Sequence, residues 1–185
     1  DRASMKNLVK NGSFEEAGGW EFKSRDAREA VTSHAPEVEA RVRPLAPPRT
    51  EADSFELSRD FGHGGKVSLL LEKNSVDTAL SCSSRPIPVE AGAKYYVTGF
   101  YRPEKCDPDT AFSLVVRILA DGNIARVVGD REWLSLPAFR AEPGSWLYTF
   151  NTVEVPAGLK GKRLEAVVSL EMDGRAGRVR WDDVE

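Results

Sequence analysis

The chain has 185 residues, 41% of them hydrophobic, and its 26 basic and 29 acidic residues leave a net charge of -3. That length can bury one hydrophobic core without a staple, and charge spread without long blocks of one sign argues against nucleic acid or an anionic membrane as partner. No apolar run approaches the roughly 20 residues that cross a bilayer, and the segment Asp1 to Met5 lacks the apolar region of a signal peptide.

In chain order, Leu8 and Val9 predict a short apolar strand that enters a turn at Asn11, Gly12 and Ser13, and alternation restarts at Trp20 to Phe22. A long irregular segment is expected at about residues 23–60, where Pro36, Pro44, Pro47 and Pro48 punctuate dense charge. Within it Val38, Ala40 and Val42 suggest one exposed or edge strand, Phe55 and Leu57 another, and Ala27 to Val31 a weak helical turn. Lys66 to Leu71 is an apolar run of strand length, suited to a deep position in a sheet.

Thr78 to Arg102 predicts two strands joined as a hairpin by the turn at Glu90, Ala91 and Gly92. In its second half Tyr95, Val97, Gly99 and Tyr101 alternate with Tyr96, Thr98, Phe100 and Arg102, the period that gives a strand two faces. The first set suits a core, because it keeps Arg102 in water. Tyr96 and Phe100 are then expected on the outside, more aromatic surface than solubility requires.

Thr110 to Leu119 and Ile124 to Val128 predict a second hairpin about Asp121 and Gly122, with Phe112, Leu114, Val116 and Ile118 facing the core. Trp146 to Val155 is a long strand whose apolar phase changes near Asn151, which predicts a bulge. Ala166, Val168 and Leu170 form another strand, and Val179 to Val184 the last, stopping in mid-strand as a piece of a longer protein would. About eight to ten short strands, without a convincing amphipathic helix, imply a single all-β antiparallel sandwich over residues 1–185. Cys82 and Cys106 would close a loop of about 24 residues, worth roughly 3 kcal/mol if bonded; two thiols, buried or half-buried, are the alternative.

Asn11-Gly12-Ser13-Phe14-Glu15 with Gly19-Trp20, Gly65-Lys66-Val67-Ser68-Leu69, Val89-Glu90-Ala91-Gly92-Ala93-Lys94-Tyr95 and Trp181-Asp182-Asp183-Val184 occur in the order and spacing of one group of modules. The set resembles the carbohydrate-binding modules of the family 4, 9 and 22 group. Residues 23–60 and 129–142 have no counterpart in that resemblance. It implies the galactose-binding-like jelly roll and a non-catalytic module for a polysaccharide or glycan, accessory to a larger secreted carbohydrate-active protein with neighbouring domains. It also implies one structural calcium between the chain ends, with Glu15 and Asp182 as ligands and carbonyls near Ser13 and Lys66. Calcium takes six to eight hard oxygens, which carboxylates and carbonyls on converging loops supply. The alternative is that Glu15 and Asp182 are turn and edge residues bonded to backbone amides.

A pyranose offers an apolar C–H face to an aromatic ring and hydroxyls to polar groups at the rim. Tyr96, Phe100, Arg102 and Arg117 supply that mixture on what is expected to be one outer sheet face. Trp133 is read as lying between strands, either a platform for a sugar or a plug over the sandwich edge; Trp20, Trp146 and Trp181 fit the core. His34 and His63 have no nucleophile or metal-ligand spacing around them, and no carboxylate pair stands out, so catalysis has no support. A docking domain of the same fold that binds no sugar is the competing function; it would show a flat apolar patch of interface size rather than rings in a groove.

Overall fold

A computed structural model describes residues 8–9, 12–15, 19–26, 53–59, 62–74, 78–107, 110–133 and 144–185. Eleven strands are found among them: β1 (Trp20–Asp26), β2 (Ser54–Ser58), β3 (Ser68–Lys73), β4 (Thr78–Ser84), β5 (Ile87–Pro88), β6 (Lys94–Cys106), β7 (Thr110–Ala120), β8 (Asn123–Trp133), β9 (Leu147–Glu154), β10 (Leu164–Gly174) and β11 (Gly177–Asp182). A short 3-10 turn at Ala157–Leu159 is the only helical element among the described residues.

The strands form two antiparallel sheets. The first runs β1-β4-β10-β7-β8, with β5 added beside β10; the second runs β2-β3-β11-β6-β9. β4 and β11 turn one face inward and alternate between buried and half-buried positions along nearly their whole length. Leu80, Cys82, Phe112, Leu114, Val116, Ile118, Val168, Leu170 and Met172 from the first sheet meet Leu69, Leu71, Val97, Tyr101, Val153, Val179 and Trp181 from the second. This is the expected β-sandwich, a jelly roll whose chain crosses repeatedly between its two layers. Phe22 on β1 stacks on Phe55 of β2 at 4.7 Å between ring centroids, which ties the layers together at one margin.

The chain ends lie side by side, as the paired end motifs imply: the Val184 amide donates to the Gly12 carbonyl at 2.9 Å. The β7–β8 hairpin forms as expected, with Ala120 opposite Asn123 and positive φ at both Asp121 (52°) and Gly122 (84°), as a two-residue turn of the primed type requires. Val97, Gly99 and Tyr101 face the core, and β3 is buried on both faces from Ser68 to Leu71.

Three expectations change, and the choice left open for the cysteines is settled. The segment Thr78 to Arg102 is not a hairpin, because β4 belongs to the first sheet and β6 to the second. Arg85 to Val89, with prolines at 86 and 88, carries the chain between the layers: β5 pairs β10, and only then does the turn at Gly92 (φ 80°) start β6. β9 contains no bulge; its register with β6 is continuous from Lys94↔Glu154 to Tyr101↔Leu147. Its two apolar phases are instead two occupied faces, Val153 inward and Tyr148 and Phe150 outward. Leu8 and Val9 are not in a strand, although Val9 is buried in the core. Cys82 and Cys106 are free thiols on opposite sheets, their pKa values pushed by burial up to about 12 and about 11. The strand at 54–58 is present; the strand expected at Val38 to Val42 and the helical turn expected at Ala27 to Val31 lie outside the described residues, as does His34.

Candidate functional site

The outer face of the second sheet carries the aromatic surface. On β6 it presents Tyr96, Thr98, Phe100 and Arg102, and cross-strand pairing sets Thr152, Phe150 and Tyr148 of β9 beside the first three. Tyr96, Phe150 and Tyr148 are 52%, 60% and 50% exposed, so three rings meet water along the margin of one sheet. The Tyr148 and Phe150 rings are 20° from parallel with centroids 6.3 Å apart. At the Tyr96 end, Lys94 Nζ lies 5.9 Å from that ring and 3.8 Å from Glu154.

Phe100 differs from its neighbours. It faces outward as expected, but the His63 imidazole lies on it at 3.6 Å between centroids and 15° from parallel. One face of Phe100 is thus taken by a protein side chain. His63 also meets Trp146 edge-on at 5.7 Å, and Phe100 meets Tyr148 at 5.2 Å. Trp146, expected in the core, is instead half-buried in this outer cluster, in phase with Tyr148 and Phe150 along the chain. Trp181 is buried in the core as expected, and Trp20 is half-buried against it.

Arg102 shares this face and is half-buried beside Gly144; it lies opposite Arg180 of β11, which bonds Glu104. Arg117 does not share it. It belongs to β7 in the first sheet, where its guanidinium pairs with Glu171 of β10 at 2.5 Å, so the expectation of a common face fails. The alternation holds along β6, whereas β7 lies in the other layer and is buried on both faces from Thr110 to Val116. Trp133 is the last residue of β8, opposite Ala111, so it is at a strand end and not in a loop.

The residues expected to hold calcium meet at the loop 62–67. Glu15 Oε1 accepts the Lys66 and Val67 amides at 2.6 and 3.1 Å. Asp182 Oδ2 accepts the His63 amide at 2.6 Å, and its Oδ1 accepts the Asp183 amide at 2.8 Å. Asp183 Oδ2 in turn bonds His63 Nδ1 at 2.9 Å. Gly64 and Gly65 permit this approach: a Cβ at Gly65 would overlap Glu15 Oε1, and one at Gly64 would lie 2.5 Å from Asp183 Oδ2. Asp182 is fully buried, and desolvation raises its pKa against the lowering effect of the His63 and Asp183 amides. Ser13 is half-buried between Gly12 and Phe14 (φ 57°), and Lys66 is exposed. Among the described residues no three His, Cys, Asp or Glu side chains converge as a metal cluster.

Comparison with solved structures places this architecture. A family 16 carbohydrate-binding module superimposes over 97% of this chain and 98% of its own, with a TM-score of 0.56 and 14% identity. The fold is that of carbohydrate-binding modules. The enzymatically active domain of tailspike protein 4 from bacteriophage CBA120 matches 96% of this chain with a TM-score of 0.63 and 14% identity; this chain spans 21% of that one. A cyclase from Fischerella sp. TAU matches 95% of this chain and 92% of its own, with a TM-score of 0.57 and 13% identity. No family model and no curated protein matches the sequence. One fold carries both binding modules and a cyclase, so the side chains on its surface have to decide function.

Sequence reasoning found Tyr96, Phe100 and Arg102 on the outer face and missed Tyr148, Phe150, Trp146 and His63. The apparent phase change at Asn151 was the available signal: two apolar phases in one strand mean either a bulge or an aromatic outer face.

Proposed function

We propose that the chain is a non-catalytic module that binds a polysaccharide or glycan on the outer face of its second sheet. The observation that carries this is the row of three exposed rings, Tyr148, Phe150 and Tyr96, along β9 and β6. Such rings accept the apolar faces of sugars, while the Thr98 and Thr152 hydroxyls beside them and Arg102 at the far end are suited to sugar hydroxyls. A few ring contacts leave only a modest surplus over the cost of association, so a dissociation constant of about micromolar to millimolar is expected. Secretion as the accessory module of a larger protein is part of the same proposal. It is supported by the resemblance of the end motifs.

Replacing Tyr96, Tyr148 and Phe150 by Ala together is expected to abolish retardation in affinity gels cast with soluble polysaccharide. Each single change is expected to weaken it about tenfold, or about 1.4 kcal/mol. Exposed positions contribute little to stability, so the thermal midpoints should stay near that of the parent. Full retention by the triple variant would remove this face from the function, and leave Trp133 and the Arg117–Glu171 pair as the places to search.

Calcium at the chain ends is a second element of the proposal. The oxygens of Glu15 and Asp182, with carbonyls near Ser13 and Lys66, are the hard donors this ion takes. Buried Asp182, held by amide donors alone among its described contacts, is a carboxylate whose desolvation a cation would offset. The ion would supply no chemistry; it would fasten the loop 62–67 to both ends of the chain. A ligand that binds only the folded state stabilises it by mass action, so adding calcium to chelator-treated protein should raise the melting temperature. The Asp182→Asn variant should show no such rise. An equal rise in that variant, or none in the parent, would remove the ion.

A further inference from the structure

We propose that His63 is the positioning residue of the ring face: it withdraws Phe100 from contact with ligand and fixes the angle at which Tyr148 is presented. This rests on the proposed sugar-binding role of that face and extends it to a residue that itself needs no contact with sugar. Two sets of bonds hold His63. Its backbone amide donates to Asp182 Oδ2 at 2.6 Å, and its Nδ1 bonds Asp183 Oδ2 at 2.9 Å. Both acceptors follow the last core tryptophan, and Asp183 has a positive φ of 47°, a conformation that few residues other than Gly, Asn and Asp adopt. The imidazole is therefore fixed at both its backbone and its ring.

What the ring does on that anchor follows from the geometry of the cluster. It lies 3.6 Å from Phe100 and 15° from parallel, so a sugar cannot occupy the same ring face. Phe100, clamped from above, meets Tyr148 at 5.2 Å and 54°, a tilted contact that limits how far the Tyr148 ring can turn about its side-chain bonds. Trp146 closes the cluster against the edge of His63 at 5.7 Å. Phe100 and Trp146 are half-buried, His63 lies exposed over Phe100, and Tyr148 and Phe150 beyond them are 50% and 60% exposed. His63, Phe100 and Trp146 form the base, and Tyr148, Phe150 and Tyr96 form the platform. A platform that is ordered before the ligand arrives loses less side-chain freedom on binding, and that difference appears as affinity.

The test compares His63→Ala and His63→Phe with the parent in affinity gels cast with soluble xylan, mixed-linkage β-glucan, galactomannan and hydroxyethyl cellulose. Thermal midpoints and near-ultraviolet circular dichroism are recorded on the same samples. His63→Ala is expected to lose about three- to tenfold in affinity for the polysaccharide that retards the parent most, and to lose the aromatic dichroism of the cluster. His63→Phe keeps a flat ring over Phe100 but cannot bond Asp183; it is expected to recover most of the affinity and the dichroism. A merely structural role predicts a lower midpoint in both variants with unchanged affinity, and that result would overturn the proposal. Parent-like affinity in His63→Ala would overturn it as well, while leaving the ring platform standing. If the parent is retarded by none of the four polysaccharides, or the triple ring variant binds like the parent, the sugar-binding role falls first and this proposal with it.

Discussion

Replacing Trp181 by Ala is expected to cost about 3–5 kcal/mol of stability. Trp181 is 1% exposed and is the largest of the fully buried side chains. On β11 it stands between Leu69 of β3 and Tyr101 of β6, so its own sheet surrounds it on both sides. Across the sandwich its indole meets the Phe112 ring of β7 at 6.5 Å and 78°, while Tyr101 meets it at 5.5 Å within the sheet. One side chain therefore joins both layers at their centre, and no neighbour in two paired sheets can collapse into the space it leaves. A domain of this kind has a total stability of about 5–15 kcal/mol, so the loss is a large part of the whole. It should appear as a fall of about 10 °C in the melting temperature. Trp181→Phe should cost much less: it keeps most of the volume and removes an indole N–H that has no acceptor among the described residues. Equal losses in the two variants would mean that packing at Trp181 is not what the contacts imply.

Much of this fold could be read from local pattern, and what could not shares one physical cause. Alternation is a property of a single strand, so Val97, Gly99 and Tyr101 were assignable to the core and Tyr96 and Phe100 to the outside from their spacing alone. The two-residue turn at Asp121 and Gly122 was equally local, because positive φ at both positions leaves few residue types. Which sheet a strand joins is not local. β4 and β6 read as a hairpin because a turn separates them, yet two prolines and β5 intervene and take them to opposite layers. The same misassignment put Arg117 beside Phe100, when it is paired with Glu171 on the other side of the molecule. In β9 the error had a different source. If every apolar residue seeks the core, a strand with apolar residues on both faces requires a bulge. The continuous ladder with β6 shows that the outward set is simply exposed. His63 had no signal of its own, since its role comes from Phe100, 37 positions on, and from Asp182 and Asp183 at the other end of the chain.

Gly12→Ala is expected to destabilise the protein by about 2–4 kcal/mol, although it adds a single methyl group. Its carbonyl accepts the Val184 amide at 2.9 Å, and the added Cβ would overlap the Val184 carbonyl oxygen and lie 2.8 Å from its carbon. The obstacle is backbone, which cannot rotate aside as a flexible side chain can. Val184 is itself fixed: its side chain is fully buried, and the next residue, Glu185, exchanges two hydrogen bonds with Thr98 of β6 at 2.9 and 3.0 Å. Relief therefore requires the first segment to move away from the last, which gives up the Gly12–Val184 bond, about 1 kcal/mol, and strains the neighbouring packing by about 1–3 kcal/mol. Phe14, 1% exposed and two residues further on, would be drawn from the core by the same movement. Gly158→Ala is the control, since its Cβ would meet no atom within 4 Å and its backbone is not in the left-handed region, so it should stay within about 0.5 kcal/mol of the parent. Urea midpoints of the two variants measured beside the parent make the comparison. If Gly12→Ala proves as mild as Gly158→Ala, the two chain ends are not joined in solution through the Gly12–Val184 bond.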